Sequence, residues 1–355
     1  MSGVKKIALV EMGGSHDECL YAQIRYLKAD GHHVTLICNT SLKSNVDYFY
    51  RLDAVRFIEL RSGLKQWVDL RIIRKILVKG EFDRIIFNTA QGNVLKNLFL
   101  LPKPKNVKRF GVIHNLRKLK GSHSQKVITR NLDGYFVLND YLIDQVDAEV
   151  KKTVNLHPLY TVFYPDYPSR HFEKKAEEIW ICIPGQVELS RRDYDTLFDS
   201  IEKNGIRDHI KLLFLGRCEH SDGDGSYVKK RIAELGIEQN VVLWDSFIET
   251  DEFYGMLKAS DYILPLIHPA HDSYSLYEFQ ISGSFNLAFG FKKPLLMEAS
   301  FSEYSDFKNT SLFYTTDSLM EMVNGLVVDS GNTYYSDSKW DFEELKQSFL
   351  DALEL

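Results

Sequence analysis

The strongest constraint on the fold is an alternation of short, β-branched apolar segments with helical segments, and it recurs along most of the chain. In the first half, strands are predicted at 7–12, 33–38, 56–60, 84–88, 109–113 and 135–139. Residues 16–30, between the first two, carry Leu20, Ile24 and Leu27 at helical spacing, and Gly31 ends that helix. Strands that alternate with helices in this way form parallel, doubly wound sheets.

The pattern stops once, at residues 164–178, and then resumes. That segment holds two prolines and many charged residues, which is typical of a linker. Beyond it, strands are predicted at 179–185, 211–216, 240–244, 262–267 and 294–297. Helices are predicted at 192–204, 226–236, 250–259 and 283–291, followed by a strongly amphipathic terminal helix at 340–355. A chain of 355 residues can hold two α/β domains, so we expect two Rossmann-like sheets.

Composition argues against several classes of protein. A net charge of -5 and a pI of about 6.1 do not suit a dedicated nucleic-acid-binding protein. The cysteines form no CxxC pair, which favours buried free thiols in a reducing cytoplasm and no structural zinc; they are Cys19, Cys38, Cys182 and Cys218. The first apolar run breaks at Glu11 and no segment approaches the length of a membrane span, so neither a signal peptide nor a membrane helix is expected. A peripheral contact at the inner membrane surface is compatible with this composition.

The loop between the first predicted strand and the first predicted helix is rich in glycine. Gly13 and Gly14 allow the backbone to turn tightly and approach a ligand, and Ser15 can cap the helix. His16 and Asp17 follow, at the position where an α/β sheet binds ligands. The spacing is not GxGxxG, so a dinucleotide site is not indicated. The alternative interpretation is a tight turn before a capped helix.

A second candidate segment, RFGVIHNLRKLKG, is a strand followed by a basic loop. His114 stands at the carboxyl end of that strand, where it can donate to a sugar hydroxyl or transfer a proton. Arg117, Lys118 and Lys120 can receive an anionic acceptor or a membrane surface. A hydrogen-bonded structural histidine and a solvated loop are the alternatives.

Two further segments of the second half can bind phosphate. Arg191 and Arg192 follow Gly185 at the start of a helix, where guanidinium groups fit a diphosphate better than they fit the helix dipole. Ser282, Gly283 and Ser284 stand at the start of another helix, where hydroxyls and free N–H groups can hold an anion. The alternatives are a charged helix surface for the arginines and plain capping for the serines.

Metal binding is less well supported. DGDG at 222–225 has the Asp-x-Asp spacing of metal-dependent sugar transferases, but a glycine-rich turn with a capping Asp explains it better. HPAH at 268–271 has two histidines without a nearby cysteine or a regular helix. We therefore expect no metal site.

Taken together, these segments resemble the GT-B glycosyltransferases, especially the family-4-like group, over nearly the whole chain. The matching segments are GGSHDECLYAQIRYLKADGHHVTLIC, VIHN, IPGQVELSRRDYDTL, NVVLWDSFIETDEFYGMLKASDYILPL and ISGSFNLAFGFKKPLL. The resemblance implies two Rossmann-like domains facing across a cleft. The expected bounds are 1–165 for an acceptor domain, 166–338 for a nucleotide-sugar donor domain and 339–355 for a terminal helix that packs back on the first domain.

The resemblance also implies an activity, a hexosyltransferase-like transfer of sugar from a nucleotide diphosphate sugar to a carbohydrate or lipid-linked acceptor in cytoplasmic polysaccharide biosynthesis. No resident cofactor is implied, since the donor is a co-substrate. His114 would meet the sugar, and Trp244 to Phe247 would hold the base largely through their backbone. The full implied donor set is Gly13, Gly14, Gly185, Arg191, Arg192, Arg217, Trp244, Phe247, Glu278, Ser282, Gly283, Ser284 and Asn286.

One motif departs from the family pattern. The Glu-x7-Glu positions of retaining members fall on Phe279 and Leu287, while Glu278 and Asn286 are one residue away. This leaves an inverting mechanism open, with His16 or Asp17 as the base. Two rival functions also stay open, a nucleotide-sugar epimerase or hydrolase of the same fold and a non-catalytic nucleotide- or sugar-binding protein.

Overall fold

The computed structural model describes residues 3–49, 52–219, 223–327 and 334–355. The chain divides into two compact units. The first unit comprises Met1–Asp166 and Asp341–Leu355, and the second comprises Tyr167–Trp340. Within the described residues, no helix combines the length and the apolar character needed to cross a membrane.

The first unit is built on a parallel sheet that has seven strands among the described residues. These are β1 (Lys6–Glu11), β2 (His33–Asn39), β3 (Ala54–Ile58), β4 (Arg84–Phe87), β5 (Lys108–Ile113), β6 (Gly134–Leu138) and β7 (Leu156–Leu159). The helices are α1 (Glu18–Ala29), α2 (Lys43–Val46), α3 (Leu64–Lys79), α4 (Gly92–Phe99), α5 (His123–Thr129), α6 (Asp140–Asp144) and α7 (Ala148–Lys151). Short 3₁₀ turns lie at Thr40–Leu42 and Leu116–Lys120.

The second unit repeats the architecture with a parallel sheet that has six strands among the described residues. These are β8 (Ile179–Pro184), β9 (Ile210–Arg217), β10 (Val241–Trp244), β11 (Tyr262–Ile263), β12 (Leu295–Glu298) and β13 (Ser311–Tyr314). The helices are α8 (Tyr194–Asn204), α9 (Asp224–Leu235), α10 (Thr250–Ala259), α11 (Tyr274–Tyr277), α12 (Gly283–Phe291), α13 (Ser305–Lys308) and α14 (Leu319–Asn324). Its 3₁₀ turns lie at Glu238–Asn240, Ala299–Phe301, Thr316–Ser318 and Ser338–Trp340.

Each sheet reverses its strand order once, and the reversal marks where a doubly wound sheet opens a crevice. The first sheet has the order β3-β2-β1-β4-β5-β6-β7, so its reversal lies between β1 and β4. The second has the order β10-β9-β8-β11-β12-β13, with the reversal between β8 and β11. All of the paired strands are parallel, so the loops that follow them gather at one edge of each sheet. The α/β fold class predicted from the sequence is confirmed.

The strand predictions fail at three places, since two edge strands are missed and one inner strand is shorter than predicted. β7 and β13 are edge strands that the apolar pattern misses, because β7 contains Pro158 and both are only four residues long. The strand expected at 262–267 is also wrong beyond Ile263. Pro265 cannot donate to a strand ladder and Leu266 has a left-handed φ of 54°, so the chain leaves the sheet there.

The terminal helix α15 (Phe342–Leu353) belongs to the first unit. Its Phe349 ring packs against Tyr26 and Phe136, with centroids 5.4 and 4.9 Å apart. At its carboxyl end, Arg84 donates from Nε to the Leu353 carbonyl at 2.7 Å, where a cation also complements the helix dipole. Apolar burial and a capped end therefore attach this last segment to the unit that begins the chain.

Candidate functional site

At the reversal of the first sheet, polar side chains gather where apolar strands end. Glu11 is the last residue of β1, Asn88 follows β4 and His114 follows β5. All three are buried, and His16 from the β1–α1 loop joins them. We call Glu11, His16, Glu18, Asn88 and His114 the Glu11 cluster.

Glu11 is fully buried and holds the loop that follows it. Its carboxylate accepts hydrogen bonds from Gly13 N at 2.6 Å, Asn88 Nδ2 at 2.8 Å and Thr89 Oγ1 at 2.6 Å. Burial raises the pKa of the Glu11 carboxyl, against the opposing effect of these three bonds. Asn88 Nδ2 also donates to the His16 carbonyl at 2.8 Å, so one amide ties the strand end to the histidine.

The two histidines of the cluster stack face to face, with ring centroids 3.8 Å apart and planes inclined by 12°. His114 Nε2 lies 2.6 Å from the Asn88 carbonyl oxygen, which can only accept, so Nε2 carries the proton and Nδ1 is an acceptor. Burial, with a smaller contribution from His16, lowers the pKa of His114 to about 4. His114 is therefore neutral at neutral pH.

His16 has the opposite electrostatic environment. Burial lowers the pKa of its imidazole, but the hydrogen bond and charge of Glu18 outweigh that effect and raise the pKa above its usual range. The His16 Nδ1 to Glu18 Oε1 distance is 3.4 Å. His16 also has a left-handed φ of 68°, and its side chain is partly exposed. Two stacked imidazoles with separated pKa values suit an acid–base site.

The remaining predicted residues of this unit lie around the cluster. Asp17 caps no N–H group of α1; its carboxylate instead accepts from Asn45 Nδ2 at 2.9 Å, and burial raises its pKa. Gly13 and Gly14 are exposed at the surface of the same loop. In the basic loop, Lys120 is paired with Asp147 at 2.9 Å.

At the carboxyl edge of the second sheet lies an open cavity of about 460 Å³. It is lined by Gly185, Gln186, Leu215, Gly216, Arg217, Phe247, Ile248, Thr250, Phe253 and Tyr254. Phe247 is 76% exposed, an unusual position for a large apolar ring. The ring of Tyr167 stacks on that of Tyr254, with the two centroids 4.6 Å apart. We call this space the Phe247 cavity.

Two glycines let the loops below this cavity approach closely. Gly185 has a φ of 105°, and a Cβ at Gly216 would lie 2.1 Å from the Gly185 carbonyl oxygen. The Arg192 guanidinium packs against Gly185 and donates to the Pro184 and Gln186 carbonyls. Arg192 therefore binds its own loop in this structure.

The other predicted donor residues on this side differ in accessibility. Arg191 is exposed and pairs with Glu188 at 3.3 Å. Arg217 is exposed at the cavity rim, and its Nε donates to the Glu219 carbonyl. The Trp244 indole donates to Glu252 at 2.8 Å and does not line the cavity.

The start of α12 lies beside the end of β8. Ser282 is the N-cap, and its Oγ accepts from Ser284 N at 3.4 Å, while Ser284 Oγ donates to the Pro184 carbonyl at 3.4 Å. Gly283 is exposed and open space lies beside its Cα. Asn286 is buried within α12 and Glu278 is half-buried at the end of α11.

A buried hydrogen-bonded chain spans the reversal of the second sheet. His268 lies 2.8 Å from Asp193 through Nδ1 and 2.8 Å from the Tyr314 hydroxyl through Nε2. Asp193 also caps α8, accepting from Thr196 N at 3.0 Å. Against the effect of burial, bonds from His268 and Thr196 lower the pKa of Asp193 to about 2. His268 belongs to the HPAH segment, for which the sequence indicates no metal binding.

No group of three or more metal-ligating side chains is found within the parts of the chain that the structure describes. Asp222 of the DGDG segment lies outside the described residues. Asp224, which lies inside them, accepts from Leu189 N at 2.9 Å and begins α9.

Sequence reasoning missed Glu11, Asn88, Glu18 and the aromatic wall residues Phe253 and Tyr254. A charged or amide residue that ends an otherwise apolar strand, as in IALVE and RIIFN, is the signal that indicates the first two. The wall residues carry no such signal, since aromatic side chains on a helix are typical of core packing.

Comparison with known proteins identifies the fold. No protein-family model matches the sequence, and no curated protein is similar to it. The chain is similar in structure to a glycosyltransferase from Rickettsia africae, with 14% identity, a TM-score of 0.63 and coverage of 99% of this chain and 94% of that one.

Two other solved structures agree with this. Anabaena HepE, solved in complex with UDP-glucose, has 12% identity and a TM-score of 0.65, with 99% of each chain covered. The UDP-GlcNAc 2-epimerase of Methanocaldococcus jannaschii has 12% identity and a TM-score of 0.58, with 98% of this chain and 99% of that one covered. The predicted GT-B fold is thereby confirmed. Because transferases and epimerases share it, the fold alone does not separate the two activities.

Proposed function

We propose that the protein is a glycosyltransferase of the family-4-like kind that moves a sugar from a nucleotide diphosphate sugar to a carbohydrate or lipid-linked acceptor. The observation that carries the proposal is the Phe247 cavity at the carboxyl edge of the second sheet. Its volume of about 460 Å³ suits one small ligand. An exposed phenylalanine beside Phe253 and Tyr254 offers apolar faces on which a planar base can stack.

The phosphates of the donor are assigned to the space beside this cavity, between the Gly185 loop and the start of α12. The exposed start of α12 at Gly283 offers backbone N–H groups and a favourable dipole to an anion, with Ser282 and Ser284 beside it. Arg217 supplies a cation at the rim. Arg192 is given the role of shaping the Gly185 loop, since its guanidinium is bonded to that loop.

The acid–base chemistry is assigned to the Glu11 cluster. We propose His16 as the base that accepts the proton of the acceptor hydroxyl, because its raised pKa and its Glu18 partner suit proton transfer near neutral pH. Neutral His114 supplies a hydrogen-bond acceptor at Nδ1, and Glu11 with Asn88 positions the loop. Asp17 is the weaker candidate, because its carboxylate is bonded to Asn45. A base on the first unit suits an inverting transfer in the cytoplasm, at the inner membrane surface if the acceptor is lipid-linked.

A thermal-shift screen of the full chain against UDP, ADP, GDP and CMP, each with and without its sugar, tests this proposal. A nucleotide at about a hundred times its dissociation constant should add roughly 2.7 kcal/mol of stability. Product analysis of the bound donor, with and without carbohydrate acceptors, then separates the activities. A sugar released as an epimer would instead favour the epimerase, and donor binding without turnover would favour a binding protein. Stabilisation by none of the nucleotides would overturn the proposal.

A further inference from the structure

The outer face of α3 is composed of two kinds of side chain. Its exposed aliphatic residues are Leu64, Val68, Ile72 and Val78, which are 87%, 49%, 46% and 41% exposed. Its exposed charged residues are Lys65, Arg71, Lys75 and Lys79. At 3.6 residues per turn these eight positions share one arc of roughly 140°, and the opposite side packs inward through Leu70, Ile73 and Leu77.

This face contains no anion to balance its cations. The acidic residue of the helix, Asp69, is buried and paired with Arg61. Glu59 and Glu81 lie beyond the two ends of α3. Among the described residues, no acidic side chain pairs with Lys65, Arg71, Lys75 or Lys79, whereas Lys120 of the 116–120 loop pairs with Asp147.

The neighbouring chain extends the same character. Arg74 donates from Nε to the Pro102 carbonyl at 2.7 Å, which holds residues 100–105 beside α3. There Leu100 is 60% exposed, and Lys103 and Lys105 are exposed as well. The surface is therefore a patch rather than a single helical stripe.

We propose that this patch, made of the outer face of α3 with residues 100–105, docks on an anionic lipid bilayer. Aliphatic side chains that alternate with lysine and arginine suit the headgroup boundary, because the methyl groups enter it while the cations meet lipid phosphates. A protein partner would favour a patch depleted in lysine. The proposal does not depend on the sugar-transfer function.

The orientation of α3 indicates which edge of the first sheet lies near the docked patch. Parallel strands end at the carboxyl edge of the sheet, and a helix that follows β3 runs back from that edge. Leu64, at the start of α3, is thus near the edge at which the Glu11 cluster lies. Docking along the whole patch would place Leu64 at the lipid surface, on the same edge of the sheet as the cluster.

The test is flotation of the full chain with vesicles of phosphatidylcholine alone or mixed with phosphatidylglycerol. The wild-type protein should float with the mixed vesicles, stay unbound with the neutral ones and dissociate as salt is raised. A variant with Lys65→Gln, Arg71→Gln, Lys75→Gln and Lys79→Gln should bind the mixed vesicles roughly a hundredfold or more weakly, at about fivefold for each charge removed.

Two further variants make the result specific. Leu64→Gln with Val68→Gln and Ile72→Gln should also weaken vesicle binding, since glutamine keeps the helix but removes the apolar contacts. A charge-matched control, with Lys151, Lys203, Lys230 and Lys308 changed to glutamine, should bind nearly as the wild type does. Circular dichroism should show that all three variants are folded.

Three results would overturn the proposal. One is a wild-type protein whose flotation is the same with and without phosphatidylglycerol in the vesicles. Another is a control variant that loses as much binding as the α3 variant. The last is self-association of the wild-type protein, seen by sedimentation, that the aliphatic variant abolishes while vesicle binding is absent, because the patch would then be an interface between copies of the chain.

Discussion

The two sheets carry different kinds of surface at their carboxyl edges. In the first unit the strand ends carry titratable side chains, with Glu11 fully buried and His16 stacked on His114. In the second unit the corresponding edge is glycine and aromatic rings around the Phe247 cavity. The same architecture thus carries titratable side chains at the sheet edge of the first unit and a cavity at the sheet edge of the second.

The two units also differ in the surroundings of their charged side chains. Asp193 in the second unit is also buried beside a histidine, but it caps a helix and closes a hydrogen-bonded chain to Tyr314. His16 stays partly exposed, and so does the side chain of its partner Glu18. We infer that the buried charge of Asp193 stabilises the second unit, whereas the proposed chemistry of the first unit lies on the partly exposed His16.

The largest expected effect is on proton transfer in the first unit. His16→Asn should lower the turnover of the proposed transfer by about a thousandfold, or about 4 kcal/mol, because it removes the base. Nucleotide affinity, measured by calorimetry, should be unchanged. Glu18→Gln should shift the rising limb of the pH–rate profile to lower pH, since Glu18 raises the pKa of His16. The exposed His123→Asn is the matched control, and an equal loss in it would refute the assignment.

The next effect is on the stability of the second unit. Asp193→Ala removes the α8 cap and leaves buried His268 without its carboxylate, so it should cost about 3 kcal/mol in urea unfolding. Asp199→Ala, an exposed acid on the same helix, should cost much less. If Asp193→Ala abolished turnover and left stability intact, the second unit would carry chemistry too and the comparison would fail.

A smaller effect concerns the pH dependence of stability. His114 has a folded pKa of about 4, below its unfolded value of 6.5. Its contribution is therefore complete above pH 6.5 and is lost as pH falls towards 4. Between pH 7 and pH 5 the wild type should lose about 2 kcal/mol more than His114→Phe, which keeps a ring in the stack. If the two proteins lost the same unfolding free energy between pH 7 and pH 5, the pKa of His114 would not be lowered in the folded state.

The smallest expected effect is on base stacking in the second unit. Phe247→Ala should weaken nucleotide binding about tenfold, because it removes the exposed ring from the cavity. Turnover at saturating donor should change little, since the ring is assigned no part in proton transfer. Tyr48→Ala, an exposed aromatic residue of the first unit, should leave affinity unaltered. An unchanged dissociation constant in folded Phe247→Ala would place the base elsewhere.

The periodicity of the sequence by itself determined two parallel sheets, most strand positions and the position of His114 at a strand end. This succeeded because apolar runs of β-branched residues are buried on both faces of a parallel sheet, whatever their partners are. It failed at the margins, where the four-residue edge strands β7 and β13 carry little apolar signal.

Only the tertiary structure decided which residues meet. Glu11, Asn88 and His114 are distant in sequence, and the sheet order brings their strand ends together. The partner of Arg192 was likewise decided by the tertiary structure. The sequence predicts a phosphate ligand for Arg192, but its guanidinium donates to the carbonyls of its own loop. Strand order and loop conformation depend on packing over the whole unit, and local residue patterns do not encode them. The pKa of His16 is raised and that of His114 is lowered only because the folded unit brings these side chains together.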